Sequence, residues 1–182
     1  MSGLERTADV RSSAELTSSD PAMAVPYEYM PNFSKQLFAD SCESGETFSN
    51  IGSSQTNYTL RTWNGDNGIS WSATDARTDQ NLNGRAITLR SGILKNTLAI
   101  PGGMQKLTFK YKRVFTGNST LRVFVNGVEK SSIVVSSETE QTAVIDDINT
   151  EGNILLELRN SGNRVIIDDI QWTCFGDVTP KP

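Results

Sequence analysis

The chain reads LRVFVNGVEKSSIVV from Leu121 to Val135, and this pattern is typical of a β-hairpin. Leu121, Val123 and Val125 alternate with other residues, so they lie on one face of an extended strand. The dipeptide Asn126-Gly127 follows, and it is a strong two-residue hairpin signal because both turn positions favour a positive φ. The stretch therefore predicts two antiparallel strands that share one apolar face.

Similar short runs fill the chain from about Asp40 onward, and turn-forming residues separate them. Pro101-Gly102-Gly103 breaks the chain, while Thr116-Gly117-Asn118 and Ser161-Gly162-Asn163 are each predicted to be hairpin turns. Most runs alternate or are β-branched and none has a clear helical period, which predicts an all-β fold, a two-sheet antiparallel β-sandwich (jelly roll). The predicted strands are Tyr58–Trp63, Ile69–Ala73, Arg85–Arg90, Leu107–Phe115, Leu121–Val125, Ser132–Val135, Thr142–Ile145, Ile154–Arg159 and Val165–Cys174.

Composition divides the chain into three segments. Residues 39–176 are the predicted jelly-roll β-sandwich, and residues 177–182 are a short C-terminal tail. Residues 1–38 are predicted to be an extended or disordered N-terminal arm, because their first part is polar and cannot bury enough apolar surface to order itself. The later, more aromatic part of the arm is consistent with a linker that packs loosely on the domain or with an arm that docks on a partner.

The sequence of 182 residues has a net charge of −4 and contains no histidine. Without an imidazole, a Ser-His-Asp triad, an HExxH zinc site and a Cys/His zinc finger are all excluded, and we expect that the protein is not an enzyme. The acidic balance argues against a nucleic-acid partner, which requires a basic surface. No apolar run approaches the length of a membrane span, and no signal peptide is visible at the N-terminus.

The run Val165–Cys174 places the carboxylate of Asp168 on an otherwise apolar face. Burying an unpaired charge is costly, so Asp168 requires a partner. That partner could be Arg159 or Arg164, backbone N–H groups, or a hard cation such as a structural Ca²⁺ ion. If the first and last strands lie side by side, Glu46 comes close to Asp168. The other members of the predicted face are Ile166, Ile170, Trp172 and Cys174.

The two cysteines lie at the two ends of the predicted domain. Pairing of the terminal strands would bring Cys42 and Cys174 within reach of a disulfide, which requires Cα atoms no more than about 7 Å apart. Two separate buried thiols are the alternative, because the sequence does not reveal the redox compartment.

A polar stretch between Arg61 and Arg85 contains two tryptophans and several charged residues. Aromatic rings stack on sugars while Asp, Asn and Arg side chains bind hydroxyls, so the stretch predicts a sugar-binding patch. Alternatively, the tryptophans belong to the core, and the ion pairs Asp75–Arg77 or Asp79–Arg85 brace a long loop. The candidate ligand-binding residues are Trp63, Asp66, Asn67, Trp71, Asp75, Arg77 and Asp79.

Three stretches, RTWNGDNGISWSATDARTDQ (61–80), NGRAITLRSG (83–92) and VIIDDIQWTC (165–174), resemble a β-sandwich module of secreted, multidomain Bacteroidetes-type proteins. The likeness covers about residues 44–175. The Ile-Asp-Asp-Ile pattern is also similar to that of jelly-roll carbohydrate-binding modules, in which a late Asp and an early Glu hold calcium. This resemblance implies that Glu46 and Asp168 are calcium ligands and that the partner is a glycan or cell-surface polysaccharide.

Two functions follow from these features. The first is a non-catalytic recognition or adhesion module that binds glycans. The alternative is a phage virion structural protein, such as a capsid decoration protein, a head fibre or a tail component, whose residues 1–38 dock on neighbouring virion proteins. An N-terminal arm without a visible signal peptide favours the alternative, because virions assemble in the cytoplasm. The expected location is therefore extracellular or on a virion.

Overall fold

The computed structural model describes residues 44–176, which form β-strands and connecting loops. Every strand pair is antiparallel, and these residues include no α-helix. The all-β antiparallel fold predicted from the sequence is therefore confirmed. The strands are β1 (Ser44–Glu46), β2 (Thr59–Asn64), β3 (Ser70–Arg77), β4 (Ile87–Leu89), β5 (Ile93–Asn96), β6 (Lys106–Val125), β7 (Val128–Val135), β8 (Gln141–Ile145) and β9 (Leu156–Thr173), with a 3₁₀ turn at Asp66–Gly68.

Two long strands, β6 and β9, form the centre of the sandwich. β6 has 20 residues and β9 has 18, and they pair with each other along most of their length. β7 and β8 pair with different parts of β6, while β1, β4 and β5 pair with β9. β3 joins through β4 and β5, and β2 pairs with β3. One hydrogen-bonded network therefore joins all nine described strands.

The hairpin predicted over Leu121–Val135 forms as β6 and β7. Val125 pairs with Val128, and Asn126-Gly127 adopts the positive φ values, 51° and 83°, expected of the turn. The inner face of β6 is also confirmed, because its predicted members are buried and Tyr111 is half-buried against the core. The buried members are Leu107, Phe109, Leu121, Val123 and Val125.

Two other predicted hairpin turns are wrong, because the chain does not reverse direction at either of them. β6 continues through Thr116-Gly117-Asn118, and β9 continues through Ser161-Gly162-Asn163. Gly117 and Gly162 have the positive φ values, 87° and 99°, on which a turn prediction depends. In an antiparallel ladder the same backbone geometry can form a β-bulge, which adds residues to a strand and bends it without ending it.

The irregularity on β6 comprises residues 115–118 and is called the Phe115 bulge below. β6 pairs with β9 at Val114 and again at Ser119, while β9 spans the same distance with Asn163 alone. The Asn163 side chain donates from Nδ2 to the carbonyl oxygen of Asn118 at 3.0 Å. The bulge is therefore fixed to β9 and carries its residues out of the ladder.

The face predicted for this run of β9 is only partly right, because Asp168 shares its face with Ile166 but not with Ile170 and Trp172. An irregularity between Asp168 and Gln171, with Asp169 at a φ of 51°, inserts one residue into β9 and changes the side-chain alternation. Asp168 pairs with Lys110 on the outer face of the β6–β9 pair, whereas Ile170 lies in the main core. The outer face carries a small apolar cluster of its own, formed by Leu82, Ala86, Val114 and Ile166.

The predicted arm (residues 1–38), the tail (residues 177–182) and Cys42 lie outside the described residues. Cys174 follows β9, is 3% exposed and is not a free thiol, but its pairing with Cys42 stays a prediction. Within residues 44–176, no helix is long and apolar enough to cross a membrane.

The Phe115 bulge predicts a difference between two glycine substitutions. A Cβ at Gly117 would lie 2.2 Å from Nδ2 of Asn163, whereas a Cβ at Gly127 would have no heavy atom within 4 Å. Both glycines have positive φ, so Gly117→Ala and Gly127→Ala share a backbone cost of about 1–2 kcal/mol. We expect Gly117→Ala to lower the free energy of unfolding by about 1–3 kcal/mol more than its matched control, since it also displaces Asn163. Equal losses in urea denaturation would contradict the described bulge.

Candidate functional site

The residues of the predicted sugar-binding patch do not form one surface. Asp66 and Asn67 lie in the 3₁₀ turn after β2, while Asp75 lies in the second half of β3. Trp71 is 1% exposed and packs against Trp172 with 6.4 Å between ring centroids, so it offers no ring face to a ligand. The patch therefore divides into a β1-side group and a β3-end group, which are described separately.

The β1-side group is organised around the buried carboxylate of Glu46. Its Oε2 accepts hydrogen bonds from the backbone N–H of Phe48 and from Nε1 of Trp63, both at 3.0 Å, and its Oε1 accepts from the backbone N–H of Asp66 at 2.8 Å. Burial raises the pKa of Glu46, and these three donors oppose that rise. Trp63 is half-buried against Phe48, so this tryptophan holds the carboxylate in the core.

A cleft of about 550 Å³ lies beside this group, but its polar side chains are largely tied to one another. Asp66 accepts hydrogen bonds from both the backbone N–H and the hydroxyl of Thr47, at 2.9 and 2.7 Å. Asn67 donates to the hydroxyl of Ser44 at 2.6 Å. The aromatic residue that lines the cleft, Trp172, is only 3% exposed, so a sugar would find no ring to stack on.

Asp168 is fully buried, and one of its carboxylate oxygens lacks a hydrogen-bond partner within residues 44–176. Oδ1 accepts the backbone N–H of Asp169 at 2.8 Å, and Oδ2 is the unpartnered oxygen. Lys110, which pairs with Asp168 in the ladder, donates its ammonium to Glu140 at 2.9 Å. Burial raises the pKa of Asp168 to about 7, and the negative charges of Asp169, Glu140 and Glu46 act in the same direction.

The calcium site that the resemblance implies for Glu46 and Asp168 stays a prediction, because the two side chains extend from opposite faces of the sheet. The β1–β9 pairing does bring the first and last described strands side by side, with Glu46 opposite Ile170. Glu46 faces the core, however, where three N–H donors already occupy its oxygens, and Asp168 lies on the outer face. In the part of the chain that the structure describes, no group of three acidic or cysteine side chains is arranged to hold a metal ion.

The β3-end group consists of arginine–carboxylate pairs. Arg77 forms a two-point ion pair with Asp79 at 2.5 and 2.7 Å, and Arg90 forms one with Asp75 at 2.8 and 3.1 Å. The hydrogen bonds from Arg77 lower the pKa of Asp79 to about 2. Both guanidinium groups also lie over the ring of Tyr58, with 5.3 and 4.2 Å to its centroid. Ion pairs therefore do form here, but both predicted pairings are wrong, because Asp75 pairs with Arg90 and Asp79 pairs with Arg77.

Phe115 is an exposed aromatic residue in a strained conformation beside this group. Its φ is 65° and its exposed fraction is 42%. A bulky residue at positive φ is an outlier that costs on the order of 1–3 kcal/mol. Phe48 has a similar φ of 61° but is fully buried, so core packing offsets its cost. Phe115 has no comparable compensation from burial, which points to a role of the ring at the surface.

Two guanidinium groups and a cleft border Phe115. The Arg77 and Arg164 guanidinium carbons lie 5.1 and 5.2 Å from the Phe115 centroid, within cation–π distance. The cleft has a volume of about 420 Å³, which is enough for one or two sugar rings. Its polar lining consists of Gln80, Asn81, Lys112, Arg113, Thr116 and Glu138. Together with Phe115, Arg77 and Arg164, these residues are called the Phe115 site below.

Sequence reasoning included Arg77 and Asp79 but missed Phe115, Arg164 and the cleft between them. The pattern Phe115-Thr-Gly-Asn predicts the end of a strand and a hairpin turn. The pattern alone could not show that β6 continues and carries the ring outward.

No protein-family model matches the chain, and no curated protein matches it significantly. The carbohydrate-binding module CBM36 in complex with calcium and xylotriose is 11% identical, with a TM-score of 0.48 over 63% of this chain and 99% of that one. The CBM22-1 xylan-binding domain from Paenibacillus barcinonensis is 12% identical, with a TM-score of 0.45 over 74% and 95% of the two chains. The catalytic unit of a thermostable GH87 α-1,3-glucanase from Streptomyces thermodiastaticus is 14% identical, with a TM-score of 0.45 over 72% and 28%. At these values the comparisons assign neither a family nor a ligand to this chain.

The buried Asp168 predicts a pH-dependent stability. Its pKa is about 7 in the folded protein against 3.8 ordinarily, so the folded state holds the proton more tightly. The contribution of Asp168 to the free energy of unfolding is fully present below about pH 4. It decreases as the pH rises towards 7 and is gone above that pH, and the total change is no more than about 4 kcal/mol. We therefore expect Asp168→Asn to raise the melting temperature at pH 8 and to change it little at pH 4. The exposed Asp147→Asn is the control.

The same experiment tests the calcium prediction. If Asp168→Asn lowers stability at pH 8, and EDTA lowers the melting temperature of the unmodified protein but not of the variant, Asp168 holds a cation and the geometry described above is incomplete.

Proposed function

We propose that residues 44–176 are a non-catalytic recognition module that binds a glycan or cell-surface polysaccharide at the Phe115 site. The observation that carries the proposal is Phe115, an exposed ring held at positive φ on a bulge beside a cleft. Binding sites for small organic ligands combine an aromatic surface with a few convergent polar groups. A sugar ring stacked on Phe115 would place its hydroxyls within reach of Gln80, Asn81 and Arg113.

The neighbouring ion pairs support the site by holding its donors in place. Arg77 is fixed by Asp79, and Gln80 donates to the same carboxylate at 2.9 Å. On the far side of the cleft Arg113 pairs with Glu138. A preorganised donor loses less conformational entropy when it binds a ligand, so such pairs favour affinity. Of the residues predicted for the sugar patch, Arg77 therefore belongs to the proposed site, and Asp79 holds it in place.

The carboxylates at the Phe115 site are arranged for binding and not for glycoside hydrolysis. Hydrolysis requires a carboxylic acid with a raised pKa to protonate the leaving group, opposite a second, free carboxylate. Asp79 has a pKa lowered to about 2 by Arg77, so it remains ionised and cannot serve as that acid. Glu138 forms an ion pair with Arg113. This arrangement supports a non-catalytic role.

The alternative function, a virion structural protein, depends on contacts made by residues 1–38. Those residues lie outside the part of the chain that the structure describes, and no feature of residues 44–176 favours that function. We therefore carry forward the glycan-binding proposal, with an extracellular location as its corollary.

Replacing Phe115 tests the proposal. Phe115→Gly removes the ring at a position where glycine adopts the backbone conformation without strain, so the fold is retained. We expect Phe115→Gly to weaken binding on the order of tenfold or more to any polysaccharide that binds the unmodified protein, because a central aromatic contact is lost. Affinity gel electrophoresis over a panel of neutral and acidic polysaccharides measures the effect. Phe175→Ala is the matched control, because Phe175 is 40% exposed and lies outside the site.

Two outcomes contradict the proposal. One is that a folded, unmodified chain is retarded by none of the polysaccharides. The other is that Phe115→Gly binds as the unmodified protein does.

A further inference from the structure

Arg164 differs from the other arginines whose structure is described. Its guanidinium donates no hydrogen bond and forms no ion pair within residues 44–176, and its Nε is buried without an acceptor, as the Nε of Arg113 also is. Arg61 and Arg85 donate to backbone or amide oxygens. The remaining arginines each form an ion pair with a carboxylate, and the pairs are Arg77–Asp79, Arg90–Asp75, Arg113–Glu138, Arg122–Glu129 and Arg159–Glu157.

The isolation of Arg164 leaves its guanidinium available to an anionic ligand. Arg164 is half-buried, and no described residue accepts a hydrogen bond from its terminal N–H groups. Arg164 is held beside Phe115 at 5.2 Å from the ring centroid, so its guanidinium stays next to the proposed binding surface. The planar guanidinium matches a carboxylate with two parallel hydrogen bonds.

Positively charged side chains predominate around the ring of Phe115. Lys112 lines the cleft and forms no ion pair with any described residue, so two cations here lack a carboxylate partner. The cations of the site therefore outnumber its carboxylates, although the chain carries a net charge of −4 and the carboxylate of Glu140, which pairs with Lys110, also acts on Lys112. The cations of the site are Arg77, Lys112, Arg113 and Arg164, and its carboxylates are Asp79 and Glu138.

We infer that the ligand of the Phe115 site is an acidic glycan, and that Arg164, with Lys112, binds the carboxylate of a uronic acid residue. This inference rests on the proposed function and names its ligand class. The ring of Phe115 would contact the apolar face of one sugar, while the carboxylate of the same or the next sugar would reach the free N–H groups of Arg164. Arg164 would then be the residue that separates acidic from neutral glycans.

The test compares each acidic polysaccharide with its carboxyl-methylated form, so that only the charge changes. The probes are polygalacturonate, alginate and hyaluronan, measured with the full chain by affinity gel electrophoresis at low and high salt. We expect at least one acidic polymer to bind on the order of tenfold more tightly than its methyl ester, with the difference shrinking at high salt.

Substitution of Arg164 tests whether its guanidinium recognises the carboxylate of the ligand. Arg164→Gln should abolish the preference for the free acid, and Arg164→Lys should retain part of it because the positive charge is kept. Arg159→Gln is the matched control, since Arg159 pairs with Glu157 and lies over Phe124 at 4.0 Å, outside the Phe115 site. Thermal melts of the three variants show whether the fold is retained.

The outcomes separate this inference from the proposed function. Equal binding of acid and methyl ester that still depends on Phe115 leaves the glycan-binding proposal standing and overturns the acidic-ligand inference. Binding confined to a sulfated polymer such as carrageenan would mean that the site recognises a sulfate ester and not a carboxylate, and this also overturns the inference. Absence of binding to every polysaccharide overturns both.

Discussion

The antiparallel pairing of β6 with β9 is the interaction on which the rest of the described fold depends. Five of the other strands are hydrogen-bonded to one of these two, while β3 reaches them through β4 and β5, and β2 through β3. The inner faces of both strands are filled with residues such as Leu121, Leu158 and Ile167, which are fully buried. Burial of such apolar area is the main favourable term in folding, so loss of this pairing would remove both the ladder and the core it supports.

The same pairing generates the candidate site. Two strands of this length cannot remain flat, and a bulge increases the bend at a chosen position. On β6 the bulge lies at residues 115–118, where Asn163 of β9 holds it. The bend carries Phe115 out of the sheet and next to Arg77 and Arg164, from β3 and β9. The β6–β9 pairing is therefore stable enough to hold Phe115 in its strained conformation. Strain at a binding site usually depends on such support from the surrounding structure.

The sequence predicted what depends on local pattern and missed what depends on the partner strand. Alternation was sufficient for the all-β fold, for the buried face around Leu121 and for the Asn126-Gly127 hairpin. Gly117 and Gly162 showed that positive φ was needed, but a turn and a bulge require the same local geometry, and only the opposite strand decides between them. The inserted residue Asp169 likewise reversed the alternation after Asp168, so Asp168 and Ile170 lie on opposite faces. The calcium site that the resemblance implies for Glu46 and Asp168 stays a prediction.

The central claim is that glycans bind at the Phe115 site and not in the larger cleft beside β1. A ¹⁵N–¹H NMR titration of the full chain with trigalacturonate tests it most directly, because every backbone amide reports separately. We predict that the amide shifts of Gln80, Asn81, Arg113 and Phe115 change and saturate together, while those of Thr47, Asp66 and Asn67 remain in place. Saturable changes confined to the residues beside β1 would contradict the account.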